Sequence, residues 1–116
     1  MTEIEAIFDC LKYRRLSLTN EKKTQSEIAE AFDECGIPYE REFRLDNHNI
    51  IDFIVDDIGI EIKIKSPRMK LLRQVERYAE FDAISCIILA INVATGFPPE
   101  INGKPVFVLN LAKAWL

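Results

Sequence analysis

The chain is short of cysteine and histidine, with three of the first and one of the second. Cys10, Cys35 and Cys86 are odd in number, far apart and in no CxxC pair. That excludes a disulfide framework and a cysteine metal site, and they read as small buried hydrophobes of a reducing compartment. Long hydrophobic runs are missing as well: the longest mainly apolar stretch, Ala83 to Ala94, falls short of the about 20 residues a bilayer span needs. The opening MTEIEAIFDCLK carries acids where a secretory leader has bases. Repeats, low-complexity tracts and linker-like segments are absent. The expectation is a soluble, cytoplasmic protein without membrane contact. Positive charge is also in deficit, with a net charge of −4 and a sequence pI of about 5.0. This argues against a protein that coats nucleic acid by bulk electrostatics but leaves room for a local basic strip.

What is present suits one globular domain over residues 1–116, since 116 residues that are 48% hydrophobic and 29% charged support a single core. Ile4, Ile7, Phe8 and Leu11 recur at helical spacing and predict a first helix ending near Ser17. A second helix is expected from Glu21 to Cys35, stopped by Gly36 and Pro38, with Thr24 and Glu27 as an alternative, later capping box. Tyr39 to Leu45 reads as an edge strand with Tyr39, Arg41, Phe43 and Leu45 on one side, and Asp46 to Asn49 as a turn. Ile50–Val55 and Ile60–Lys65 predict a hairpin around DDIG, with Gly59 in the reversal. Ser66 then caps a helix that begins at Pro67 and runs to about Phe81. A buried strand from Ile84 to Ile91, an irregular connection from Asn92 to Lys104, a strand from Pro105 to Leu109 and a terminal helix from Leu111 complete an α/β chain, a mixed sheet flanked by helices.

The hairpin IIDFIVDDIGIEIKIK places charges among isoleucines. Strand alternation puts Glu61, Lys63 and Lys65 on one face of its second strand. A turn at Asp57–Ile58 would set Asp52 opposite Lys63 and Ile54 opposite Glu61, gathering all three polar groups on one face. Opposed Cβ atoms lie roughly 5 Å apart, so two carboxylates could reach a common ion, and a one-residue bulge would send Asp52 elsewhere. Two converging carboxylates with water suit Mg2+ or Mn2+, and a neighbouring lysine suits an anionic substrate or a developing negative charge. These are the demands of phosphodiester hydrolysis.

Asp52 followed by Glu61-Ile62-Lys63 on the next strand resembles the D…(D/E)xK core of the PD-(D/E)XK nuclease superfamily, with Ile51 where the namesake motif has proline. The family's restriction-endonuclease-like αβββαβ core would span about residues 21–109, after an extra N-terminal helix. Gln74 and Tyr78 in RQVERY form a QxxxY pattern similar to the RecB and lambda exonuclease branch, without the iron–sulfur cysteines of some of its members. The resemblance implies a Mg2+- or Mn2+-dependent nuclease acting on DNA in repair, recombination, restriction or a phage. It implies Asp52, Glu61 and the backbone carbonyl of Ile62 as metal ligands, with Glu27 completing the shell and Glu30 and Glu34 as rivals. Lys63 would be catalytic, and Gln74 would steady the site. Lys65, Arg68, Lys70, Arg73, Arg77 and Tyr78 would face nucleic acid, the cations forming a basic strip opposed only by Glu76.

Plainer readings stand beside these. The trio could be a solvated hairpin face with an ion pair worth about 0–1 kcal/mol, although the flanking isoleucines suggest burial, where unpaired charge is costly. Gln74 and Tyr78 could belong to an ordinary amphipathic helix. His48 is either a turn residue or a base beside a hydrolytic centre. Lys12, Arg14, Arg15, Lys22 and Lys23 either touch DNA or solubilise two helices. A domain this small implies selectivity through a homodimer, a higher oligomer or a protein partner. A non-catalytic nucleic-acid-binding or assembly subunit on the same fold is the alternative of a different class.

Overall fold

In the computed structural model, which describes residues 2–92 and 96–116, the chain opens with helix α1 (Glu3–Leu11). Thr2 caps it by accepting from the Glu5 N–H, and Ile7, Cys10 and Leu11 are buried. The helix stops well before Ser17. Arg14 folds back to donate to the Cys10 carbonyl at 2.9 Å and to Glu34 at 2.8 Å, and the chain turns so that Leu16 enters the core. Helix α2 (Glu21–Cys35) has the expected bounds, with Asn20 capping the Lys23 N–H and Gly36 left-handed at φ +69°. The Thr24–Glu27 box does not form, because the Thr24 hydroxyl is spent on the carbonyls of Ser17 and Asn20.

Strands β1 (Glu40–Arg44), β2 (Ile50–Val55) and β3 (Ile58–Lys63) form an antiparallel meander. Helix α3 (Arg68–Tyr78) then crosses over to β4 (Cys86–Ile91), which runs parallel to β3. A short β5 (Glu100–Ile101) turns through Asn102-Gly103 into β6 (Lys104–Asn110), which lies parallel to β4. A single 3-10 turn, Lys113–Trp115, follows in place of the terminal helix. The result is one mixed sheet in the order β1-β2-β3-β4-β6-β5. Pro67 caps α3 instead of starting it, and the helix ends at Tyr78 instead of about Phe81. The connection expected to be irregular contains β5, and its residues 93–95 lie outside the described residues. No helix among the described residues is long and apolar enough to cross a membrane.

Each face of the sheet has its own core. Ile58, Ile60 and Ile62 of β3 face α1 and α2 together with Ile7, Ile28, Phe32 and Phe53. Ile87, Leu89 and Ile91 of β4 face α3, packing with Leu71, Val75, Tyr78 and Ile84. Three local departures from strand alternation shape the site. In β1, Tyr39 packs on Phe32 and Phe53 of the α2 side, whereas Phe43 and Leu45 join the α3 side. Glu42 between them adopts φ +50° and reverses the alternation, so the expected one-sided row does not exist. In β2, Ile51 belongs to the α3 side and Phe53 to the α2 side, so alternation breaks at Asp52.

The third departure is the hairpin turn. Val55 pairs with Ile58 and Ile54 with Gly59, which puts Asp56-Asp57 in the turn and Asp56 at φ +52°. The register with Asp52 opposite Lys63 and Ile54 opposite Glu61 is therefore corrected. Gly59 is not a turn residue: a Cβ there would come within 2.6 Å of Ile51 Cδ1 and 2.9 Å of Ile84 Cδ1. Its lack of a side chain lets two isoleucines meet across β3. Gly59→Ala should destabilise the fold by about 1–3 kcal/mol through overpacking, read as a lower urea midpoint. An unchanged midpoint would contradict the close packing described.

Candidate active site

Beyond Phe53–Ile60 the β2–β3 ladder stops pairing residue by residue, and two carboxyl groups bridge the opening. The Ile62 N–H donates to Asp52 Oδ2 at 2.8 Å, and the Asp52 N–H donates to Glu61 Oε1 at 3.2 Å. Each carboxyl thus replaces a backbone carbonyl as acceptor on the facing strand, satisfying N–H groups that the fork would strand. Asp52 lies in the plane of the fork, and Glu61 points to the α3 side with Gly59 and Lys63.

Further polar groups fix both carboxyls from opposite faces. On the α2 side the Arg41 guanidinium donates to Gln25 Oε1 at 2.7 and 3.2 Å. A guanidinium has no acceptor, so the Gln25 amide must turn its NH2 outward, and that group donates to Asp52 Oδ1 at 3.2 Å. On the α3 side Gln74 donates to the Tyr78 hydroxyl at 2.8 Å, leaving the phenolic proton for the Ile50 carbonyl at 3.0 Å or Glu61 Oε2 at 3.4 Å. These partners fix the orientation of the two carboxyls.

Glu61 is 2% exposed, yet its only cationic neighbour among the described residues, the Lys63 ammonium, stands 3.6 Å from Oε2, beyond a close hydrogen bond. Burial, and then the charge of Asp52, push the Glu61 carboxyl up to about 8. Asp52 is raised as well, chiefly by burial, against the lowering effect of the Ile62 N–H and of Lys63. The two carboxyls lie close enough to share a proton and titrate as a pair. Tyr78 is also raised, by burial and by the two acids.

The other anticipated residues divide. Lys63 is half-buried at the mouth of the fork, and with Lys70, Arg73, Gln74 and Arg77 it lines a cleft of about 300 Å3. Lys65 is exposed at φ +59°, its N–H donating to Asn92 Oδ1. Arg68 is drawn to the segment after β4, donating to the Gly96 carbonyl and lying over the Phe97 ring. Tyr78 is 2% exposed, so the expectation that it faces nucleic acid is corrected: its hydroxyl serves Glu61 and Ile50 from inside.

Glu27 does not reach the pair. It accepts from the Ser17 N–H at 2.8 Å, and two positions along a helix, roughly 200° of rotation, separate it from Gln25. Of its rivals, Glu34 is bound to Arg14 and Glu30 is exposed on α2. The acid of α2 that does come near is Glu21, whose charge is felt at Asp52 and whose carboxylate accepts from the Ile64 N–H at 2.8 Å. Among the described residues no three His, Cys, Asp or Glu side chains converge as a metal-holding group. Asp52 and Glu61 converge as two. His48 sits exposed in the turn held by Asp46.

Sequence reasoning passed over Gln25, Arg41 and Glu21. Gln25 had a signal, a polar residue three, four and seven places before Ile28, Ala29 and Phe32 on the apolar stripe of α2. Glu21 had none, because an acid in the first turn of a helix is explained by the dipole alone. In comparison with known proteins, no family model matches the chain, and no curated protein or solved structure matches it either.

The raised Glu61 pKa fixes the sign of a pH effect. Between its ordinary value of 4.5 and about 8, the folded chain holds a proton that the unfolded chain has released. Stability of the metal-free protein should therefore fall as pH rises through that window. Glu61→Gln keeps an acceptor for the Asp52 N–H without the charge. In thermal melts with chelator it should be more stable than the native chain at pH 8.5, by on the order of a few kcal/mol, with the gap closing toward pH 5. A difference independent of pH would contradict the burial of an ionising Glu61.

Proposed function

We propose that the chain is a metal-dependent nuclease with a restriction-endonuclease-like fold, hydrolysing phosphodiester bonds in DNA. The observation that carries this reading is the Asp52–Glu61 pair at the strand fork, Glu61 buried and Asp52 half-buried, short of positive charge and opening beside Lys63. A divalent cation is the natural complement of two facing carboxyls, one buried and one half-buried, whose pKa values are raised. The donors fit Mg2+ or Mn2+: two carboxylates, the carbonyl of Ile62 between Glu61 and Lys63, and water, without thiol or imidazole. When bound, the ion supplies a Lewis acid for the phosphoryl group and lowers the pKa of water.

The protein's own residues do the rest. Asp52 and Glu61 hold the ion, each kept in place by a backbone N–H and by the Gln25 or Tyr78 partner behind it. Glu21 takes the position near the pair once expected of Glu27. Lys63, half-buried at the mouth, orients the attacking water or offsets charge developing on the phosphoryl oxygens. Lys70, Arg73 and Arg77 beside it offer contacts to the phosphate backbone without reading sequence, with Lys65 and Arg68 at the flank. The order α2-β1-β2-β3-α3-β4 and the antiparallel-then-parallel sheet also support the reading.

The test is cleavage of supercoiled plasmid, linear duplex, single strands and a four-way junction, with Mn2+ or with chelator. The native chain should cut at least one substrate with Mn2+ only, and Lys63→Ala should lower that rate about 100-fold or more. Equal cleavage by the two, or none by either on every substrate, would contradict the role of Lys63. Binding of the same DNAs without cleavage would favour the assembly-subunit alternative.

A further inference from the structure

The basic residues near the start of the chain and Glu27, which the fork does not use, meet in a second pocket. Arg15, Ser17, Thr19, Lys23, Glu27 and Trp115 line a hollow of about 310 Å3. Its aromatic wall is fixed: the Trp115 indole N–H donates to the Leu16 carbonyl at 3.0 Å, and the Arg15 guanidinium lies 5.7 Å from the ring centroid while its Nε donates to the Ala114 carbonyl. Trp115 is still 48% exposed. Neither Arg15 nor Lys23 makes an ion pair among the described residues, and the Glu27 carboxylate, tied to the Ser17 N–H through Oε1, keeps acceptor capacity.

The segments that line this hollow lie toward the same end of the central strands as the fork. The parallel strands bring Lys63, Ile91 and Asn110 to one end, and the Leu111 N–H donates to the Ile91 carbonyl as the chain heads for Trp115. The segment from Ser17 to Lys23 leads into α2 beside Glu21, which is bonded to Ile64 just past Lys63. Helix α2 therefore links the two places, with Glu21 at its start bonded beside the fork and Lys23 and Glu27 further along it lining the hollow.

We propose that this pocket binds an unpaired nucleotide of the substrate, so that the protein prefers nucleic acid with a single-stranded segment beside the scissile bond. The exposed indole face stacks on the base, Arg15 and Lys23 meet its phosphates, and Glu27 with the hydroxyls of Ser17 and Thr19 meets the base edge. Stacking on an aromatic platform accepts any base and requires it to be unpaired, which is how such sites select single strands. The inference rests on the nuclease reading above, and its test does not depend on cleavage.

Trp115 is the only tryptophan of the chain, so its fluorescence reports on this pocket directly. In chelator, a mixed-sequence 20-nucleotide single strand should quench the emission and saturate, whereas a blunt duplex of the same length and inorganic phosphate should not. By anisotropy of the labelled single strand, Trp115→Ala should weaken binding about tenfold. Trp115→Phe should restore most of it, and duplex binding should be unchanged in both. Trp115→Ala gives up the indole hydrogen bond to Leu16 and Arg15→Gln the guanidinium contact to the Ala114 carbonyl, so each variant is compared well below its own melting temperature, and Arg15→Gln should also weaken single-strand binding. Unchanged emission at saturation, quenching by phosphate alone, or equal single-strand affinity in Trp115→Ala would overturn the proposal. If DNA is still cut with Mn2+ in any of those cases, the nuclease reading survives without it.

Discussion

Past Phe53 the ladder between β2 and β3 is closed by side-chain carboxyls instead of backbone carbonyls, and the rest of the site depends on that exchange. Asp52 accepts from the backbone after Glu61, and Glu61 accepts from the backbone of Asp52. A fork between strands ordinarily leaves N–H groups without partners, at a cost of roughly 1–3 kcal/mol for each one buried. Here the acids that fill the gap are held within hydrogen-bonding range of each other. The same two carboxyls therefore serve the backbone, and burial raises the pKa of both acids, that of Glu61 further through the charge of Asp52.

Support for the fork comes from both layers. Arg41 and Gln25 reach it from the side of α2, Gln74 and Tyr78 from the side of α3. Two apparent irregularities of the backbone serve this convergence. The positive φ of Glu42 lets Arg41 point toward α2 while Phe43 packs toward α3, and the side-chain-free face of Gly59 lets Ile51 and Ile84 close the core beneath. Charge is divided in the same spirit. The chain is acidic overall, yet the cleft at the mouth of the fork is lined by Lys63, Lys70, Arg73 and Arg77. That concentrates positive charge at the mouth of the fork.

Much of the architecture was legible in the sequence because it follows local rules: the bounds of α2, the helix between β3 and β4, and the uniformly apolar β4 were all written in periodicity and caps. The pairing of Asp52 with Glu61 was legible as chemistry but not as geometry. Gly59 looked like the turn residue, whereas Asp56 takes the positive φ and Gly59 answers a packing constraint set by Ile84, distant in sequence. Glu27 matched a spacing, but the rotation of α2 presents Gln25 instead. Tyr78 looked like a surface contact because a motif carries no information about burial. Each miss concerns strand register or the direction of a side chain, which tertiary packing decides.

The central claim is that the fork is a divalent-cation site whose ligands are protonated when it is empty. Calorimetric titration with Mn2+ at pH 7, in buffers of different ionisation enthalpy, addresses it most directly. The account predicts saturable binding with release of about one proton per ion, lost in Asp52→Asn. Absence of binding, or binding without proton release that persists in Asp52→Asn, would contradict it.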